Sequence, residues 1–193
     1  MVRLAEALYA QGLSPAEVLR QCYGVDFPTE FFLIVREGLR YSRPLAAFTK
    51  LPWSLGVPPG EEPPYSLALL TEGAVRRIFV RDPDLVPLVR LTDLVNTPER
   101  PMICYRLTEL QAGSTAVFRV KVTAASHDEI VRCGESLLAV LRATYAERLR
   151  HMEWVVDQPS NRGFGAMDQQ MVDDARALLE RVEGLRRGVE ERR

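Results

Sequence analysis

The strongest constraint in the sequence is a helix that stops and restarts within a few residues. The segment "SPAEVLRQCYG" places Ser14 as an N-cap, Pro15 at the first helical position and Glu17 where a capping box needs it. Gly24 is suited to a left-handed C-cap. A new helix then starts at once, over residues 28–39. The pattern predicts a corner between two consecutive helices.

The second of these helices is too apolar to be buried on one side only. Five bulky apolar residues follow one another in it, Phe31, Phe32, Leu33, Ile34 and Val35. A single helical face cannot hold five consecutive residues. We therefore expect this helix to pack against more than one neighbouring element.

Residues 65–123 are predicted to form the sheet. A first hairpin is expected from "YSLALLT" (65–71) and "VRRIFVR" (75–81), and a second from residues 101–109 and 114–123. The stretch between the two hairpins is interpreted as a looped crossover. The last strand alternates apolar with charged residues, which is typical of a strand with one buried and one solvent-exposed face.

The remainder of the chain has helical periodicity. One long helix is predicted over 126–156, and residues 157–193 are predicted to add a loop and a C-terminal helix. Apolar residues recur in that last helix at intervals of four and three, at Met171, Ala175, Leu178, Val182, Leu185 and Val189. Such a stripe can lie on a helical neighbour of the same chain or join two copies in a homodimer.

These elements predict an α+β fold for residues 1–156. Helices in residues 1–40 would pack on a largely antiparallel sheet of four to five strands, and a long C-terminal helical hairpin would complete the molecule. The strands follow one another and the helices bracket them, which argues against an alternating parallel sheet.

Composition excludes several classes of protein. The formal net charge of −1 over 193 residues provides no overall field for nucleic acid or an anionic membrane. No run approaches the ~18 apolar residues that a membrane span requires. The three cysteines form no CxxC pair, so neither a disulfide framework nor a zinc site is supported. We expect a cytoplasmic protein with buried thiols.

Catalytic signatures are missing from the sequence. Neither His127 nor His151 has a nucleophile or metal ligand at a recognised spacing. Asp82 and Asp84 could form an acid–base pair or part of a metal loop, but the intervening Pro83 favours a turn. The sequence therefore predicts no enzyme, no catalytic residue, no metal and no cofactor.

Two surfaces are candidates for contact with a partner protein. Arg77, Arg81, Arg119 and Lys121 are predicted to share the solvent-exposed face of the sheet, which would suit an acidic partner. Phe164 lies between glycines in a loop and would form a contact tip. The alternatives are an ordinary solvated face and a loop that folds back onto the helices.

The first helical corner also resembles a known family. "LRQCYGVDFPTEFFLIVREGL" is similar to the beginning of SUKH superfamily proteins, which are bacterial immunity-type domains. The matching residues are Leu19, Tyr23-Gly24, Val25, Phe27-Pro28 and Phe31-Phe32. The Asn-Gly-Gly-type turn usual in the family is replaced by "REGLRYSRP". The resemblance implies an α+β fold and a non-catalytic role in protein binding, such as neutralising a toxin.

We therefore expect a non-catalytic protein-binding module, with an immunity protein as its most specific form. One alternative is a structural protein that self-assembles through the C-terminal helix. Another is a small-ligand or enzymatic domain whose site is assembled from residues far apart in sequence, which would require a pocket containing His151 or paired carboxylates.

Overall fold

A computed structural model of the chain describes residues 1–39, 45–61, 72–91, 101–121, 129–158 and 168–191. The helices in these ranges are α1 (Val2–Ala10), α2 (Pro15–Tyr23), α3 (Thr29–Arg36), α4 (Glu72–Arg81), α5 (Leu107–Gln111), α6 (Leu137–Val156) and α7 (Gln169–Glu190). The strands are β1 (Ala46–Phe48), β2 (Leu85–Leu91), β3 (Met102–Arg106), β4 (Val117–Val120) and β5 (Ile130–Gly134). The α+β class with an antiparallel sheet and a C-terminal helical pair is confirmed.

The predicted corner between α2 and α3 is present, with the expected caps. The Ser14 hydroxyl accepts a hydrogen bond from the Glu17 amide, and the Glu17 carboxylate accepts one from the Ser14 amide at 2.8 Å. Gly24 adopts φ 75° and donates its N–H to the Arg20 carbonyl. An L side chain is strained in that conformation, so glycine ends α2 and turns the chain into α3.

The helix α3 is buried on several sides, as its composition predicts. Phe31 is fully buried and stacks on Trp53 of a 3₁₀ turn, with ring centroids 4.3 Å apart and planes 11° from parallel. Phe27 and Phe32 make edge contacts with the same Phe31 ring. A Cβ on Gly56 would lie 3.1 Å from that ring, so glycine allows this close approach.

The sheet is a meander in which each strand pairs with its neighbours in the chain, in the order β1-β2-β3-β4-β5. Alternate residues of β3 face opposite sides. Ile103 and Tyr105 belong to the large core shared with α2, α3, α6 and α7, whereas Met102 and Cys104 pack with Ala74 of α4. Both faces of the sheet are therefore covered, and α4 covers one of them.

The structure corrects the prediction that residues 75–81 form a strand. They belong to α4, while residues 65–71, the other half of that predicted hairpin, lie outside the described residues. Ala74 and Ile78, four residues apart, are the buried positions of α4, and Val80 is 82% exposed. The β-branched residues of this segment favoured a strand, but the apolar contacts follow helical spacing.

The predicted crossover between the hairpins is also wrong, because β2 lies within it. Pro87 lacks an N–H and is disfavoured inside a sheet. The structure accommodates it through an irregular register between Pro87 and Val89, and the Pro87 carbonyl accepts a hydrogen bond from the Thr49 hydroxyl. The second hairpin, β3 and β4, is confirmed, with the short α5 in its connection.

The predicted helix over 126–156 starts too early. Its first described part is β5, which pairs with β4, and α6 begins only at Leu137. Ser136 caps α6 by accepting a hydrogen bond from the Ala139 amide. A strand followed directly by a capped helix was thus interpreted as one helix.

The apolar stripe of α7 is occupied within the chain. Ala175, Leu178 and Val182 are buried, and the other stripe residues are partly buried against the large core. Ion pairs between Arg142 and Glu183 and between Arg176 and Glu153 join α6 to α7 at the edges of this contact. The apolar stripe of α7 therefore packs on a helix of the same chain, which was one of the two alternatives; the other was a homodimer.

Replacing Phe31 with alanine should strongly destabilise the protein. The ring is fully buried in an aromatic cluster, so Phe31→Ala should lower the free energy of unfolding by about 3–5 kcal/mol. Urea denaturation followed by circular dichroism measures this. Phe32→Ala, on the same helix but partly exposed, is the matched control and should cost less; equal losses would contradict the packing described.

Candidate functional site

Three of the four predicted cationic contact residues line one cleft. We call it the basic cleft; its volume is about 100 Å³, and it is lined by Arg77, Ile78, Arg81, Asp82, Leu85, Val120, Lys121 and Ile130. The prediction that these cations share a face of the sheet is wrong for Arg77 and Arg81, which lie on α4. They nevertheless line the same cleft as Lys121, because Ile78 of α4 belongs to the same apolar cluster as Val120, the residue before Lys121.

The geometry of α4 explains why two arginines reach the basic cleft. Arg77 and Arg81 are four residues apart, so they lie one above the other on the same side of the helix. Ile78 anchors α4 against the smaller apolar cluster that contains Met102 and Val120. Lys121 follows β4 directly and approaches from the other side.

The other predicted contact residues do not join this cleft. Arg119 is exposed, but it lies opposite Ile103 and Val131 in the sheet register and does not line the cleft. The residues that flank it, Phe118 and Val120, are buried, but so is Val117, which lies on the same side of the strand as Arg119. The predicted solvent-exposed face of this strand is therefore wrong at Val117. Phe164 and its loop lie outside the described residues.

Asp82 and Asp84 form a structural turn, as the sequence favoured. Asp82 accepts a hydrogen bond from the Asp84 amide at 3.1 Å and one from the Arg106 guanidinium at 3.2 Å. The Asp84 carboxylate accepts from the Thr108 hydroxyl at 2.7 Å and from its amide at 3.0 Å. Both carboxylates therefore fasten the start of β2 to the end of β3 and the start of α5.

A buried carboxylate that sequence reasoning missed lies on the opposite side of the sheet. Glu30 is 4% exposed and accepts four hydrogen bonds. The donors are the Tyr105 hydroxyl at 3.0 Å, the Ser136 hydroxyl at 2.6 Å, and the amides of Leu137 and Leu138 at 2.7 and 3.2 Å. These amides belong to the first turn of α6, whose N–H groups have no partner within the helix.

The Glu30 contacts are structural, although Glu30 also lines a larger cleft. That cleft has a volume of about 350 Å³ and contains a second carboxylate, Asp26. Asp26 forms an ion pair with Arg20, and both Glu30 oxygens accept two hydrogen bonds each. Burial and the adjacent Glu30 carboxylate raise the pKa of Tyr105 well above its ordinary value.

The two histidines are the remaining sequence-based candidates for chemistry, and one of them lies in a described range. His151 lies on α6 beside Trp154, with ring centroids 5.8 Å apart, and lines none of the clefts described here. His127 falls outside the described residues. Across the described ranges, no group of three or more His, Cys, Asp or Glu side chains is placed to hold a metal ion. No helix in these ranges has the length and apolar character to cross a membrane.

Comparison of the chain with protein-family models, curated proteins and solved structures finds no match.

Replacing Glu30 with glutamine should reveal the strength of this network. An amide side chain has one acceptor oxygen in place of two and turns an NH₂ group towards other donors. Glu30→Gln should therefore cost at least about 2 kcal/mol of the free energy of unfolding, measured by urea denaturation. Glu37→Gln, at the exposed end of the same helix, is the control and should cost less than about 1 kcal/mol. Equal effects would show that the buried network contributes nothing.

The cysteines should react slowly with alkylating reagents in the folded protein. Burial raises the thiol pKa of Cys22, Cys104 and Cys133. Because the thiolate is the reactive form, alkylation of Cys22 and Cys133 by iodoacetamide should still accelerate as the pH passes about 8.5, the ordinary thiol value. The fully buried Cys104 should remain unmodified. Peptide mass spectrometry measures the alkylation rate at each cysteine, and urea-unfolded protein is the control. An alkylation rate that levels off below about pH 8 would contradict the raised thiol pKa values.

Proposed function

We propose that this protein is a non-catalytic protein-binding module that engages an anionic group of its partner at the basic cleft. The observation that carries the proposal is the convergence of Arg77, Arg81 and Lys121, from a helix and a strand far apart in sequence, around one small concave surface. Complementary charge steers a partner towards such a surface and suppresses partners of the wrong sign.

The way in which the carboxylates are used supports binding over catalysis. Glu30, Asp82 and Asp84 accept hydrogen bonds that join separate elements of the fold. General acid–base catalysis requires a group that can reach a substrate proton, and these groups are occupied by contacts within the chain. The third sequence-based alternative, a ligand or enzymatic domain, therefore gains no reactive group from the paired carboxylates.

The family resemblance suggests one class of partner. The resemblance to SUKH immunity domains implies a toxin as partner, so a bacterial toxin that presents an anionic group to the basic cleft is the partner class we propose. A cytoplasmic location agrees with three cysteines held as free thiols. The proposal does not include a dimer through α7, because the apolar stripe of that helix is covered by the chain itself.

Partner capture with matched charge reversals tests the proposal. The protein is immobilised as wild type, as Arg77→Glu and as Arg119→Glu, and incubated with lysate of the source organism. Both arginines are exposed, but only Arg77 lines the basic cleft. Wild type and Arg119→Glu should capture one partner in stoichiometric amount, and Arg77→Glu should reduce that capture by about tenfold or more, as read by quantitative mass spectrometry.

Two results would overturn the proposed function. In one, every captured protein is retained equally by Arg77→Glu and wild type. In the other, only the bait is recovered and its mass rises with concentration, which would identify self-assembly through a different surface. Thermal melting of each variant verifies that the fold is intact.

A further inference from the structure

The lining of the basic cleft combines a positive charge with an apolar floor. Three cationic side chains and the Asp82 carboxylate line it, which gives a formal charge of +2. Asp82 is held by Arg106 at 3.2 Å, which offsets its repulsion of an anion. The other lining residues are apolar, namely Ile78, Leu85, Val120 and Ile130. Interactions between charges are stronger beside such a floor than in open water.

The cleft is small and opens to solvent, with a volume of about 100 Å³. Three cations line this small surface, so they can converge on one compact oxyanion of a partner.

We infer that this group is a phosphoryl group, carried by a phosphorylated side chain of the partner protein. The inference rests on the proposed function and names the chemistry of the same site. A phosphoryl group carries about −1.5 to −2 charges near pH 7 and three acceptor oxygens, which matches the formal charge of the lining. A carboxylate carries one charge and two oxygens in a plane.

The donors of the cleft come from two separate elements. Arg77 and Arg81 lie on α4, and Lys121 directly follows β4. Arg81 and Lys121 also make interactions of their own within the chain. A guanidinium has five N–H donors and an ammonium has three, so the anion shares these residues with their existing partners. Guanidinium forks are suited to phosphate recognition.

The site can be probed with two small molecules that differ in their anionic group. N-acetyl-phosphoserine amide and N-acetyl-glutamate amide are titrated into the full-length protein, and amide chemical shifts are followed by NMR. The phosphoserine probe should shift resonances in the range 77–85 and at Lys121 and saturate. The glutamate probe should bind at least about tenfold more weakly, because its carboxylate carries about half the charge of the phosphoryl group.

The pH dependence provides a second signature. Phosphate takes its second negative charge at a pKa of about 6, so affinity for the phosphoserine probe should rise as the pH increases from about 5 to about 7, across that value. Arg77→Gln should lower the affinity for the phosphoserine probe about tenfold, whereas Arg119→Gln should bind the probe like wild type. Equal binding of both probes, no rise with pH, or equal effects of the two variants would overturn the phosphoryl assignment.

A phosphatase-treated lysate separates failure of this inference from failure of the proposed function. Loss of the Arg77-dependent partner after treatment supports the phosphoryl assignment. Undiminished Arg77-dependent capture after treatment refutes that assignment and leaves the binding function in place. If no captured protein depends on Arg77, the proposed function itself fails.

Discussion

The buried carboxylate of Glu30 ties α3, β3 and α6 together at one point. Its oxygens satisfy the two leading amides of α6, while Ser136 satisfies the third and donates its own hydroxyl to Glu30. A charge is stable away from water only when it is paired or fully hydrogen-bonded. Here the negative charge also lies at the N-terminal end of α6, where the helix dipole is positive. The position of α6, and of α7 packed on it, follows from this arrangement.

The two faces of the sheet are covered to different extents, and the candidate site results from that difference. The large core fills one face with helices from both ends of the chain, whereas α4 lies on the other. The buried Leu85 and Val120 and the partly buried Ile130 line the basic cleft at the margin of α4. Arg77 and Arg81 of the same helix line it as well.

Features encoded within a few residues were predictable from the sequence. The capping box at Ser14, the left-handed Gly24 and the periodicity of α7 all follow from local chemistry. The helical structure of α4 was not predictable from its sequence, because its β-branched residues favour a strand. Its contacts with Met102 and Cys104 in the folded protein follow helical spacing. The prediction that Arg77, Arg81, Arg119 and Lys121 share one face of the sheet is wrong for Arg77 and Arg81, which lie on α4.

Glu30 shows a different limit of sequence reasoning. A glutamate in the first turn of a helix is ordinarily explained by the helix dipole. Its position beside Phe31, in a helix expected to be buried on several sides, was the available signal. Its partners Ser136 and Leu137 lie more than a hundred residues away, and no local pattern identifies them.

The meander order of the strands has a consequence for how the chain folds. From β2 to β5 each strand pairs with its neighbour across a short connection, and closing such loops is kinetically favourable, whereas β1 and β2 are separated by residues 49–84. The contact between Glu30 and the Leu137 amide spans 107 residues, and it forms only when the N-terminal corner meets a helix made after the whole sheet. During synthesis the N-terminal helices and the strands β1 to β5 emerge before α6, so Tyr105 is available to Glu30 before the donors of Ser136, Leu137 and Leu138 are.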